Sequence, residues 1–113
     1  MKLLVLPGDG IGPEIVAASV EALKAADQKF GLNVALDYDE VGFVSLRKHG
    51  TTLRQDLLDK ARSYDGIILG TQSHADYPAP EQGGRNISAA FRVELDLYAN
   101  VRPCVSYHPS IKS

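Results

Sequence analysis

Three short apolar runs recur along the chain, at Lys2–Leu6, residues 34–38 and Gly66–Leu69, with stretches of helical spacing between them. The first and third end on Pro7-Gly8 and Gly70, as buried strands do, and the second alternates Val34, Leu36 and Tyr38 with Ala35 and Asp37. After the first run, Val16, Val20 and Leu23 share one helical face, flanked by Ile15, Ala22 and Ala26. Pro13 suits the first turn of that helix, Glu14 sits near its positive end, and Gly31 offers a C-terminal cap. A short helix over residues 44–48 is expected to end at Gly50. Another, capped by Thr51 or Thr52 and reaching Ser63, turns Leu53, Leu57, Leu58 and Ala61 inward. The order strand, helix, strand, helix, helix, strand predicts an α/β layered sheet. With 113 residues, 44% of them apolar, the chain suits one small domain with a modest core.

Beyond the third strand the character changes. "GTQSHADYPAPEQGGRN" is polar and rich in Gly and Pro, hence a long loop of the kind that carries function. Asn86 or Ser88 can cap a last helix reaching about Leu97, and alternation from Val101 through Tyr107 predicts a further extended segment. Twelve basic against 14 acidic side chains, a net charge of -2, give no reason to expect nucleic acid or an anionic membrane as partner. The single cysteine, Cys104, cannot form an internal disulfide, and a cytoplasmic setting is the default. His74 and Asp76, without a further cluster, do not make a metal site, and no metal ligand is assigned in this chain.

"GDGIGPE", residues 8–14, follows the first strand and opens the first helix. Such a turn can bind an anion, because backbone N–H groups point outward and the helix dipole favours negative charge. The dinucleotide fingerprint needs glycine at its first, third and sixth positions, and counting from Gly8 the sixth is Pro13. No Gly-Lys-Ser/Thr follows, so the P-loop pattern fails too. Asp9 would repel a phosphate unless it points away. On the residues alone, a tight turn and an anion site both stay open. Thr71, just after the third strand, lies where open α/β sheets bind ligands and is a candidate cofactor contact.

"GDGIGPE" after an N-terminal strand resembles the opening of the isocitrate and isopropylmalate dehydrogenases, the NAD(P)-dependent β-decarboxylating 2-hydroxyacid dehydrogenases. "FRVELDLYANVRP", residues 91–103, resembles that family's run of a helical Arg, a Leu-Asp-Leu-Tyr-like stretch and an Arg-Pro pair. "HGTTLRQDLLDKARSYDGIILG" is similar to the helix and strand that lie between. The resemblance implies an isopropylmalate dehydrogenase-like α/β/α sheet, not a classical Rossmann fold. Residues 1–98 would form part of the first domain, and residues 99–113 would start the connection to the second. It implies that Arg92 and Arg102 clamp the carboxylates of a malate-type substrate, where guanidinium forks match carboxylates bidentately. It places Asn86 and Ser88 in the substrate-selecting stretch, at the isocitrate-type spacing but in reversed order. The isopropylmalate-type Glu has no counterpart, although Ile87, Ala89 and Ala90 are apolar. Ile11, with Gly12, would lie beside the nicotinamide.

The cofactors implied are NAD or NADP, with Mg²⁺ or Mn²⁺ held by carboxylates downstream of this chain. The catalytic Tyr and Lys are expected downstream as well. The implied activity is oxidative decarboxylation of a 3-isopropylmalate-like acid, with isocitrate, homoisocitrate or tartrate as alternatives. The partners implied are a hydroxy-dicarboxylate or tricarboxylate and, at full length, a second copy in a homodimer. The chain reads as an N-terminal fragment, inactive by itself. A truncated, non-catalytic binding or regulatory module is the competing reading.

Overall fold

The computed structural model describes residues 1–106, 108 and 110. Its elements are strand β1 (Lys2–Leu6), helix α1 (Gly12–Phe30), strand β2 (Ala35–Tyr38), helices α2 (Phe43–His49) and α3 (Gln55–Ala61), strand β3 (Gly66–Leu69) and helix α4 (Ile87–Glu94). The three strands form one parallel sheet in the order β2-β1-β3. Leu4 faces Asp37 on one side and Ile67 on the other. The predicted order of elements is the observed one.

The alternating side chains of β1 generate the layers, because successive residues of a strand point to opposite faces. Val5 packs with Val16 and Val20 of α1 on one face. Leu4 and Leu6 pack with Leu53, Leu57, Leu58 and Ala61, and with Ile87 and Phe91 of α4, on the other. The sheet order reverses at β1: the chain passes from β1 to β2 on one side, then crosses back to β3. Right-handed crossovers in opposite directions put α1 and α3 on opposite faces, giving the α/β/α sandwich.

Pro13 lies in the first turn of α1, and the helix ends on Gly31, whose N–H donates to the Asp27 carbonyl. α2 ends on Gly50 as expected. Asn86 caps α4, its side-chain oxygen accepting the Ala89 N–H at 3.0 Å. Asn86→Ala should therefore cost about 1 kcal/mol. Urea unfolding followed by circular dichroism reads that loss, and Asn86→Ser should recover most of it.

Three expectations are corrected. Neither Thr51 nor Thr52 caps α3, which starts after Arg54 and ends at Ala61 rather than Ser63. Thr52 is fully buried, its hydroxyl accepting the Arg85 N–H at 2.8 Å and donating to the Arg85 carbonyl at 3.0 Å. That side chain staples a distant loop, so it is not available to a helix terminus. Secondly, α4 stops at Glu94, short of Leu97, because Asp96 takes a left-handed conformation with φ 52°. Asp tolerates that region better than most residues. Thirdly, residues 101–106 pair with no strand: Val101 and Val105 are exposed, and Pro103 has no N–H to give a ladder. Tyr107, the end of that expectation, lies outside the described residues. The long loop between β3 and α4 holds two single 3-10 turns, His74–Asp76 and Pro80–Gln82.

Candidate cofactor and substrate site

In open parallel sheets, ligands bind outside the carboxyl ends of the strands where the order reverses, here between β1 and β3. Loops following all three strands meet there, and one carboxylate holds them. Asp9, 6% exposed, accepts the Phe43 N–H at 2.7 Å, the Ser73 N–H at 3.3 Å and the Tyr77 hydroxyl. Its backbone N–H donates to the Thr71 carbonyl at 2.7 Å, and its carbonyl accepts the Thr71 hydroxyl at 2.8 Å. The approach needs glycine at position 42, where φ is 76° and any Cβ would collide with the carboxylate. Burial pushes the Tyr77 phenol well above the ordinary tyrosine range, and the adjacent Asp9 carboxylate pushes it further. Tyr77 therefore stays a donor. Its ring stands edge-on to Phe43, centroids 5.1 Å apart.

This geometry answers the question left open at "GDGIGPE". In the first turn of α1 the Gly12 N–H donates to the Asp9 carbonyl at 2.8 Å. Pro13 has no N–H, and Glu14 and Ile15 both donate to the Ile11 carbonyl at 3.1 Å. The first-turn donors of α1 are thus consumed inside the turn. Asp9 does point away from the helix start, into the base of the loops. What the loop presents outward is Ile11, an apolar side chain 58% exposed, while Gly12 is buried beneath it.

Gln72 ties this constellation to α4. Its side-chain oxygen accepts the Ser88 N–H at 3.2 Å, and its amide donates to the Gly70 carbonyl at 3.1 Å. Arg92, one turn further, donates from Nε to the Ser88 carbonyl at 3.1 Å. Among the described residues, neither Arg92 nor Arg102 has an ion-pair partner, and both are exposed. Ile11, Gly12 and Thr71 thus come together, and Ser88 is joined to them. Asn86 serves its own helix, and Arg102 stands on the exposed stretch after α4. His74 and Asp76 are exposed. Among the described residues no group of three potential metal ligands exists.

Asp9, Tyr77, Gln72 and Arg85 were not picked out as site residues by sequence reasoning. Arg85 donates to Glu94 at 2.5 Å and to the Leu53 carbonyl at 3.2 Å, fixing the entry to α4. The one available signal was Asp9 itself, an acid flanked by two glycines that had no partner in its own turn. A cleft of about 560 Å³ lies on the β2 side, bounded by Pro7, Gly8, Pro13, Tyr38, Asp39 and Val41. Burial would raise the Asp39 carboxyl, but the Glu40 N–H, Lys60 and Arg54 outweigh it and hold it below the ordinary range. Its charge is already committed, to Arg54 and to Lys60, each at 3.0 Å.

The family model for isocitrate/isopropylmalate dehydrogenase matches residues 2–113. The chain belongs to the isocitrate/isopropylmalate dehydrogenase family. Among its relatives is a 3-isopropylmalate dehydrogenase of Pseudomonas fluorescens, 38% identical over 112 residues, covering 94% of this chain and 30% of the relative. One from Xanthomonas axonopodis pv. citri is 41% identical with the same coverage. The isocitrate dehydrogenase of Methylococcus capsulatus superposes with a TM-score of 0.69 at 33% identity, over 86% of this chain and 26% of that one. A β-decarboxylating dehydrogenase of Thermococcus kodakarensis gives 0.68 at 32% identity, over 86% and 27%. The chain therefore spans about 30% of the length of the curated relatives it matches. The predicted fold of this family is the one observed. No helix among the described residues is long and apolar enough to cross a membrane.

Proposed function

We propose that this chain supplies the nicotinamide-side wall and the carboxylate clamp of an NAD(P)-dependent dehydrogenase that oxidatively decarboxylates a malate-type 2-hydroxy acid, 3-isopropylmalate above all. The observation that carries the reading is the hydrogen-bonded constellation at the switch point, where Thr71 bonds the Asp9 backbone of the loop presenting Ile11 and the next residue, Gln72, bonds the helix bearing Arg92. An exposed apolar side chain on a loop tied by its own backbone fits one face of a nicotinamide ring. The spent donors of α1 fit a site that leaves the pyrophosphate to other residues. The cofactor, when bound, accepts the hydride from the carbon bearing the 2-hydroxyl.

The part of this chain is orientation. Arg92 and Arg102 present planar forks, so two carboxylates of one ligand fix its rotation as well as its position. With Nε held by the Ser88 carbonyl, Arg92 keeps its two terminal nitrogens for the ligand. Asn86 and Ser88, at the start of the same helix, face the substituent that distinguishes one malate derivative from another. The relatives' name favours the isopropyl group, and Ala89 supplies apolar character in the same turn, Ile87 being buried in the core. The metal is assigned to residues outside this chain, and residues 99–113 to the link between the domains. A homodimer of the longer enzyme and a cytoplasmic setting belong to the same reading.

The test is a chimera in which residues 1–113 replace the matching segment of the Pseudomonas fluorescens enzyme. NADH or NADPH formation is followed with 3-isopropylmalate, isocitrate, homoisocitrate and tartrate. Turnover of 3-isopropylmalate is expected. In that chimera Arg102→Lys should raise KM at least about tenfold and lower kcat, because a point charge replaces a fork. A folded chimera inactive on all four acids would overturn the reading and favour a non-catalytic module. Unchanged kinetics in Arg102→Lys would remove the clamp assignment alone.

A further inference from the structure

We infer that Asp9 is the positioning residue of the cofactor-side loop, acting through the Tyr77 hydroxyl and the Phe43 N–H to hold Ile11 where a nicotinamide ring would lie. The inference deepens the proposed function and rests on its reading of Ile11. The geometry singles out Asp9 because its side chain, on the loop after β1, reaches the segments after both β2 and β3. Phe43 begins the helix after β2, while Ser73 and Tyr77 belong to the loop after β3. Ile11 is two residues from Asp9, and the Gly12 N–H between loop and helix is bound to the Asp9 carbonyl. The side chain and backbone of Asp9 thus tie the segment that carries Ile11 to the segments after β2 and β3.

The chemistry demands a carboxylate. One oxygen serves the Phe43 N–H, and the other serves the Ser73 N–H together with the Tyr77 hydroxyl. An amide in its place would point its NH₂ at one of the two backbone donors whichever way it flipped. That donor would be left buried without an acceptor. Tyr77→Phe removes only the hydroxyl and keeps the ring against Phe43. The two variants thus separate the charge from the packing.

The experiment uses the 113-residue chain and the chimera, labelled with ¹⁵N and at the isoleucine methyls, with NAD⁺ as the probe. In Asp9→Asn, hydrogen exchange at whichever of Phe43 and Ser73 faces the NH₂ should rise at least about tenfold while β1 amides keep their protection. The Ile11 methyl should move toward its averaged, random-coil position, and the NAD⁺ concentration needed to shift it should rise about tenfold. Tyr77→Phe should change the same signals in the same direction by a smaller factor, and it decides the matter if Asp9→Asn fails to fold. An Ile11 methyl unmoved in both variants, with wild-type exchange at Phe43 and Ser73, would overturn the inference. If NAD⁺ shifts no Ile11 signal in the folded chimera carrying the unchanged residues 1–113, the cofactor-wall reading fails instead. Exchange and methyl position then still decide whether Asp9 positions the loop.

Discussion

Phe91→Ala is expected to remove about 3–5 kcal/mol of stability, a large share of the total available to a domain of this size. Phe91 is 4% exposed and packs in the larger core layer with Leu57, Leu58 and Ile87. With Ile87 it forms the buried stripe of α4. Truncating the ring leaves a void that α4 alone borders on one side, so the helix loses its seat before the sheet loses its own. Urea unfolding reads the total loss. Amide exchange should show α4 opening first, while β1 remains protected. Phe91→Leu, which keeps most of the volume, should cost less than about 1.5 kcal/mol. Equal protection of α4 and β1 in the alanine variant would mean that the helix is held by something other than this ring.

Gly70→Ala should cost about 3 kcal/mol, at the upper end for overpacking. The added methyl would run into the Pro7 carbonyl and crowd Val16. Neither can retreat: Pro7 continues β1, whose Leu6 carbonyl accepts the Gly70 N–H at 2.8 Å, and Val16 is the buried residue of α1 beneath it. Gly10→Ala is the control. Its φ is 57° but its surroundings are open, so only the conformational penalty of about 1 kcal/mol applies. Similar midpoints in urea for the two variants would remove the close approach of the β1 and β3 ends as a source of stability.

Most of the framework was legible because it depends on local spacing. Lys2–Leu6, Gly66–Leu69 and the inward faces of α1 and α3 follow from period and punctuation, and the buried set Leu53, Leu57, Leu58 and Ala61 is the one expected. The misses share a cause. Thr52 looks like a helix cap until Arg85, 33 residues away, takes its hydroxyl. Asp9 looks like a turn residue until Phe43, Ser73 and Tyr77 arrive from other loops. Gln72 shows nothing until α4 brings Ser88 against it. A side chain whose partners are distant in sequence has no local signature. Arg92 and Arg102 stood out through their family motif, since an exposed arginine carries no pattern of its own.

The central place of β1 also governs when the chain can fold. Leu3 pairs with Leu36 on one side and with Gly66 on the other. A growing polypeptide therefore makes first the strand whose second neighbour comes last, and loop-closure entropy delays such distant pairing. Until Leu69 has left the ribosome, Lys2–Leu6 is an apolar ribbon with one open flank. Chaperone capture of nascent chains should accordingly fall sharply once synthesis passes β3.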